Sequence, residues 1–243
     1  MQGKKEDTVC YSLSGIEIDA ERLLHDYEAV ASDVWTSQNR YAKGMTNWKG
    51  ISLYSINGAS DDLRCADKPI VSKTPAGDVC SYICDELLPQ FGARPLRVAF
   101  YRLTAGTNVG KHKDYGQNRT TGMVRIHIPV ITNKDVTMQV EDNTYHFGVG
   151  EAWYFDASCW HSVKNSGADD RIHLIADFYP SPELDAHLKP ISFNDRLRFL
   201  MARMEFNVEI AKTFAKFIVT REGRARIMAK LGVAAKSVDQ PAT

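Results

Sequence analysis

Two hundred and forty-three residues, 44% hydrophobic and 25% charged, have the length and balance of a folded protein whose core needs neither disulfides nor a structural metal. With 30 Lys+Arg against 30 Asp+Glu the formal net charge is zero, so no global field attracts nucleic acid or an anionic membrane surface. No stretch approaches the roughly 18 apolar residues of a bilayer span, and no apolar run follows the N-terminal charges as in a secretory signal.

The expected location is therefore the cytoplasm, and the expected partner is a small molecule, with neither nucleic acid nor an integral membrane segment involved. Five cysteines, an odd number without a CxxC pair, exclude a disulfide framework and a zinc ribbon.

Val9, Tyr11 and Leu13 alternate as a strand does, and Asp19 is placed to cap a helix carrying Leu23, Leu24, Tyr27 and Val30 on one face. Residues 35–50, polar with three aromatics and no period, read as a long loop beside a functional site, and a strand follows over 51–56. Thr74-Pro75 opens a second helix with Val79, Cys80, Ile83, Cys84, Leu87 and Leu88 on its apolar face, stopping by Pro89; its two cysteines are core thiols. Between Leu96 and Phe178 seven short alternating runs (LRVAFYRL, VRIHIPVI, VTMQVE, TYHF, EAWYF, HSVKN and RIHLIADF) have the spacing of an antiparallel sandwich or barrel. Asp142-Asn143 and Asn165-Ser166-Gly167 look like its hairpin turns. Beyond Pro190 the period is helical again, through Leu197, Leu200, Met201, Met204, Val208, Ile210, Phe214, Phe217 and Ile218, as in a helical layer covering the sheet. The domain boundaries expected are 1–190 for the barrel with its N-terminal strand, helix and lid loop, 191–232 for a helical cover, and 233–243 for a tail.

Assigning side chains to strand faces locates the chemistry. In VRIHIPVI the apolar set is Val124, Ile126, Ile128 and Val130, which leaves Arg125 and His127 on the opposite face. In RIHLIADF the apolar set is Ile172, Leu174, Ala176 and Phe178, and Arg171, His173 and Asp177 point the other way. A polar cavity inside a barrel explains both. His112 and Asp114, in the loop after LRVAFYRL, share one side of an extended segment, and His161 opens a later strand. Two imidazoles and a carboxylate form the ligand set of a non-haem iron site with three open positions. A lone HxD is weak, since seven His and 19 Asp predict about 0.5 such pairs by chance. The accompanying arginine gives it weight. Iron with open positions can chelate a 2-oxo acid, whose far carboxylate then needs a fixed cation. Arg171 is the candidate, and Arg125 is the second, which could instead form a salt bridge to Asp177 or another interior carboxylate.

The stretches HKDY with RIHIPV, and GEAWYFDASCWHSV followed by RIHLIADF, resemble the aspartyl/asparaginyl β-hydroxylase-like branch of the iron(II)/2-oxoglutarate dioxygenases. The resemblance covers residues 96–182 and, within the branch, is nearest in look to bacterial hydroxylases of free proline. Members that lack the carboxylate ligand differ from this chain, which has Asp114.

The resemblance implies a double-stranded β-helix, a cupin-like jelly roll that is mainly β with flanking helices. It implies His112, Asp114 and His161 as iron ligands, Arg171 as the anchor of 2-oxoglutarate and His127 near its iron-bound end; Arg125 and Tyr101 are grouped with the cosubstrate residues. The cofactors implied are Fe(II), 2-oxoglutarate as cosubstrate, and O2. The expected activity is hydroxylation of an unactivated C–H bond in a free, proline-like amino acid or a small molecule derived from one. A peptidyl Asp or Asn residue and an amino-acid lipid are the competing substrates. Two readings lie outside hydroxylation: a non-catalytic, metal-binding jelly roll that senses a small acid, and a zinc hydrolase, which would leave Arg171 without a task. For the substrate carboxylate the candidates are Arg119 and Arg102; Trp35, Arg40, Tyr41 and Trp48 are the candidate lid residues.

Overall fold

The computed structural model describes residues 8–32, 35–37, 48–114 and 117–219. Strand β1 (Cys10–Ser12) leads to helix α1 (Ala20–Val30), where the Asp19 carboxylate accepts the backbone N–H groups of Glu21 and Arg22, both at 3.1 Å. Leu23, Tyr27 and Val30 bury the face that their spacing marks. Within the aperiodic segment, Thr36–Ser37 forms a short strand β2, and β3 (Trp48–Ser55) starts earlier than the alternation indicates. Arg40 and Tyr41 lie outside the described residues. Strand β4 (Ser72–Lys73) precedes α2 (Pro75–Val79), capped by Thr74 as expected.

The second helix departs from expectation, because its backbone breaks at Cys80 (φ −93°, ψ 65°). A π-helical turn follows at Ile83–Leu87, and a 3₁₀ turn at Leu88–Phe91 incorporates Pro89 instead of stopping before it. The break lets two packing demands be met. Gly77 lies so close to β3 that a Cβ there would stand 2.3 Å from the Leu53 carbonyl oxygen, while Ile83, Cys84, Leu87 and Leu88 turn into the core. Cys80 is also buried, but Val79, expected on the same face, is exposed.

All seven alternating runs contain strands: β5 (Pro95–Leu103), β7 (Val124–Ile131), β8 (Val136–Val140), β9 (Asn143–Tyr145), β10 (Trp153–Phe155), β11 (His161–Asn165) and β12 (Arg171–Phe178). Between β5 and β7 lies a further strand, β6 (Asn108–His112), whose last residue is His112; the expected loop is therefore a strand up to its metal-ligand candidate. Its Asn-Val-Gly-Lys-His sequence buries one side chain only, which is why no alternation reveals it.

The larger sheet runs β1-β10-β7-β12-β5-β3-β2, with β4 also paired to β3, and the smaller runs β6-β11-β8-β9. Two antiparallel sheets joined by strands that alternate between them make the double-stranded β-helix. Asn165-Ser166-Gly167 accordingly starts a crossover between sheets, since β11 and β12 belong to different ones. In the β8–β9 hairpin Val140 pairs with Asn143, so the turn residues are Glu141 and Asp142, with Glu141 at φ 51°.

Both faces of the larger sheet are buried. On the outer face Val98, Phe100, Ile126, Ile128, Leu174, Ala176 and Phe178 pack with α1 and the 75–91 turns. The inner face looks toward the smaller sheet, and register places Arg97, Tyr101, Arg125, His127, Arg171, His173 and Asp177 on it. Cys10 and Phe155 close one end of the interior against Met138 and Val140; Leu63, Ala99, Tyr101 and Ile175 form a second apolar floor. At Gly50 a Cβ would stand 2.8 Å from Leu63 and 3.1 Å from the Tyr101 ring, so the missing side chain is what lets that floor close.

Helix α3 (Pro182–His187) has no counterpart in the apolar periodicity, although Ser181 caps it and Pro182 fills its first position. Helix α4 (Phe193–Val219) starts behind Ser192, whose hydroxyl and backbone N–H both donate to Asp195. The expected cover meets the barrel at its loops. Arg198 pairs with Asp156, Glu205 pairs with Lys113, and Phe199 and Ala202 are buried, whereas Leu197, Leu200, Met201, Met204 and Val208 are exposed. No helix among the described residues is long and apolar enough to cross a membrane.

Candidate metal centre

His161, the first residue of β11, pairs across the smaller sheet with His112, the last of β6, and their ring centroids are 4.2 Å apart. In each ring Nδ1 lies beside the carbonyl oxygen two residues back, Gly110 at 2.8 Å and Cys159 at 3.0 Å. A carbonyl only accepts, so both Nδ1 atoms carry the proton and both Nε2 lone pairs are free for a metal. Asp114 is held by its backbone N–H, which donates to the Ala157 carbonyl at 2.9 Å, and its Oδ1 lies 3.9 Å from His112 Nε2. One ligand atom from each of the three residues lies within 4.8 Å of the other two. Two neutral imidazoles and one carboxylate suit a divalent first-row ion such as iron(II).

The loop that presents His161 is itself anchored. Buried Asp156 accepts from the Ser158 backbone N–H at 3.0 Å, from the Ser158 hydroxyl at 2.6 Å and from Arg198 Nε at 3.2 Å. This brings the first turns of α4 to the metal loop, although nothing in the spacing of Asp156 and Arg198 could have joined them.

A chain of buried charges leads away from Asp114. Arg125 donates from Nη1 to Asp114 Oδ2 at 2.7 Å and from Nε to Asp177 Oδ1 at 2.7 Å, and Arg97 donates to Asp177 Oδ2. Burial alone would raise the Asp177 carboxyl; Arg125 and Arg97 outweigh it and hold the group well below the usual carboxylate range. Asp177→Asn therefore leaves two buried cations short of a counter-charge and is expected to cost about 3–5 kcal/mol. Because the folded protein lowers this pKa, the stabilisation is complete above the ordinary carboxylate range and fades as pH falls through it. Urea titrations should show a larger gap between parent and variant at about pH 7 than at about pH 3; equal gaps would refute the assignment.

Elsewhere on the inner face several polar atoms have no protein partner among the described residues. Among the described residues, Trp48 Nε1, Tyr101 Oη, both ring nitrogens of His127, His173 Nε2 and Arg171 Nε are buried and accept or donate no hydrogen bond. Native interiors leave few such groups, so a cluster of them on one face marks a place for a polar ligand. The metal candidates connect to it through rings: His161 to Phe155 at 5.1 Å, Phe155 to His127 at 4.9 Å, and His127 to His173 at 5.8 Å. Arg171 Nη2 donates to His173 Nδ1 at 2.6 Å, which fixes the Nε2–H tautomer on His173. Burial, then the Arg171 charge, holds both His127 and His173 neutral. Among the described residues Arg171 has no carboxylate beside it, and burial alone pulls it down to about 9. A buried guanidinium without a counter-ion is built to receive an anion.

The structure places four of the candidates away from their expected roles. Arg102 shares the parity of Val98 and Phe100, so it points outward, stacked 4.5 Å from the Trp35 ring and paired with Asp170. Trp35 packs on that same outer core, away from the interior. Arg119, at the start of a 3₁₀ turn, directs its guanidinium to Asp185 and to the Lys189 carbonyl, both at 2.8 Å. Trp48 does face inward, its ring 5.5 Å from Tyr101. Arg125 is engaged by two carboxylates, Asp177 among them, and does not face a vacant site. Arg97 also belongs to the inner face, and the parity of β5, which sets it beside Tyr101, is the sequence signal that marks it.

Known proteins share sequence and fold with this chain. The family model for aspartyl/asparaginyl β-hydroxylase matches residues 13–180. The chain is 24% identical over 231 residues to L-proline cis-4-hydroxylase of Rhizobium meliloti (strain 1021), covering 90% of this chain and 80% of that enzyme. It is 26% identical over 171 residues to L-proline cis-3-hydroxylase 1 of a Streptomyces species, over 68% of this chain and 58% of that one. A solved oxidoreductase of the 2OG-Fe(II) oxygenase family from Burkholderia pseudomallei superposes with a TM-score of 0.50 at 12% identity, covering 71% of this chain and 85% of that structure, and so shares its fold.

Proposed function

Given that the chain belongs to the aspartyl/asparaginyl β-hydroxylase family, enzymes of the iron(II)/2-oxoglutarate dioxygenase class, we propose that it hydroxylates an unactivated C–H bond of a free amino acid, proline or a close analogue. In this proposal His112, Asp114 and His161 hold the iron, and Arg171 anchors the far carboxylate of the cosubstrate. The observation that carries it is the convergence of three ligand atoms, with both Nδ1 positions already occupied, in the same interior as a buried arginine that has no counter-ion among the described residues.

When bound, iron(II) with 2-oxoglutarate and O2 supplies the oxidation: the cosubstrate becomes succinate and CO2, and one oxygen atom enters the C–H bond. The chain's own residues bind, orient and exclude water. Arg171 fixes the cosubstrate's distal end, and His127 and His173, both neutral, offer N–H donors where a cation would compete with the metal. Phe155, Phe147 and Ile175 keep the interior dry. The inward Trp48 and Tyr101 rings form an aromatic wall suited to a small saturated ring. The named substrate of three relatives is L-proline, which supports the same choice. Five cysteines outside any disulfide suit a reducing cytoplasm.

Screening free amino acids with iron(II), 2-oxoglutarate and ascorbate should reveal succinate release that depends on one of them, with mass spectrometry showing a gain of one oxygen. Succinate release stimulated by an Asp- or Asn-containing peptide and by no free amino acid would refute the substrate assignment.

A further inference from the structure

The geometry points to a positioning role for Arg125: we propose that it restricts Asp114 to a single coordination position on the metal. The inference rests on the metal assignment above and concerns how that site stays open. Arg125 Nη1 occupies Asp114 Oδ2 at 2.7 Å, with both side chains buried, so only Oδ1 is turned toward His112 Nε2. The guanidinium has no freedom to leave. Its Nε and Nη2 are fixed on the two oxygens of Asp177 at 2.7 and 3.4 Å, Asp177 is gripped from the other side by Arg97, and Arg97 Nη1 donates to the Leu63 carbonyl at 2.9 Å.

A carboxylate with both oxygens free can bind a divalent ion through one or both. Bidentate binding would leave a six-coordinate ion two open positions, whereas an oxo acid chelating through two atoms, together with dioxygen, needs three. Arg125 also shares the negative charge of Asp114, so the ion keeps more of its own charge for an anionic chelator. It touches neither ion nor substrate; it acts through Asp114.

The test is anaerobic and needs no turnover. Full-length parent, Arg125→Gln and Arg125→Lys are titrated with Mn(II) by electron paramagnetic resonance. With Fe(II) bound, each is then titrated with 2-oxoglutarate while the visible charge-transfer absorption of the chelate is followed. Arg125→Gln should bind one Mn(II) within about threefold of the parent affinity, because attraction gained and orientation lost oppose each other. Its chelate absorption should require at least roughly tenfold more 2-oxoglutarate. Arg125→Lys, whose ammonium can still reach Oδ2, should fall between.

A chelate formed by Arg125→Gln at the parent's 2-oxoglutarate concentration, or complete loss of Mn(II) from that variant, overturns the proposal. Line broadening of bound Mn(II) in ¹⁷O-enriched water tests the parent alone, so it stands even where the glutamine variant does not fold. Three coordinated waters are expected, and two would overturn the proposal. Failure of the metal assignment looks different: the parent would bind no Mn(II), or His161→Ala would bind it as well as the parent.

Discussion

His161→Ala should lower turnover by more than about a thousandfold, because loss of a direct ligand exceeds the 10–100-fold typical of outer partners. His161 is buried, its Nδ1 is occupied by the Cys159 carbonyl, and no other described side chain offers a nitrogen in its place. The substitution also removes a ring from between His112 and Phe155, so some stability goes with it. Metal-dependent stabilisation separates the two effects. An ion at a hundred times its dissociation constant stabilises the parent by about 2.7 kcal/mol. The variant should melt at one temperature with and without Mn(II), while the parent melts higher with it. Product formation by His161→Ala at the parent's rate, or an unchanged metal-induced shift, would show that the third ligand lies elsewhere.

The parts of this site that can be read from the sequence are those fixed by period two. In β7 and β12 one face is uniformly apolar, so Arg125, His127, Arg171, His173 and Asp177 must share the other, and the register between those strands places them together. The same rule holds in β5, the strand that contains Arg102. Val98 and Phe100 define the outer face there, which carries Arg102 outward and Arg97 and Tyr101 inward. Arg119 is a different failure. It follows the HxD closely in sequence, but a 3₁₀ turn decides its direction, and turn geometry is not encoded in an apolar pattern. Strand β6 escapes because an edge strand with one buried side chain shows no alternation. The Asp114–Arg125–Asp177–Arg97 chain is legible only in part. Its members lie on three strands and a loop, and pairing among them is a property of tertiary packing, as is the attachment of Arg198 to Asp156.

Arg171 has an expected signature in two opposite directions. Removing one partner of a buried, hydrogen-bonded charge pair costs about 2–5 kcal/mol, so Arg171→Met should raise the 2-oxoglutarate concentration for half-saturation roughly 30-fold to several-thousand-fold. The loss should fall on the cosubstrate's KM more than on kcat, since the far carboxylate is held equally in ground and transition states. Without cosubstrate the sign reverses. Burial alone lowers Arg171 to about 9, so the folded state disfavours the cation and its cost is in force at every pH below that value, relaxing only as pH rises through it. At neutral pH, Arg171→Met should therefore melt above the unliganded parent, provided its thioether fills the space beside His173. Adding 2-oxoglutarate with Mn(II) should raise the parent's melting temperature more than the variant's. Arg171→Lys keeps the charge but not the planar fork, and belongs between them in cosubstrate affinity. A variant that saturates with 2-oxoglutarate as the parent does would exclude Arg171 from the carboxylate. One that melts below the unliganded parent would mean that this guanidinium already has its counter-charge inside the folded protein.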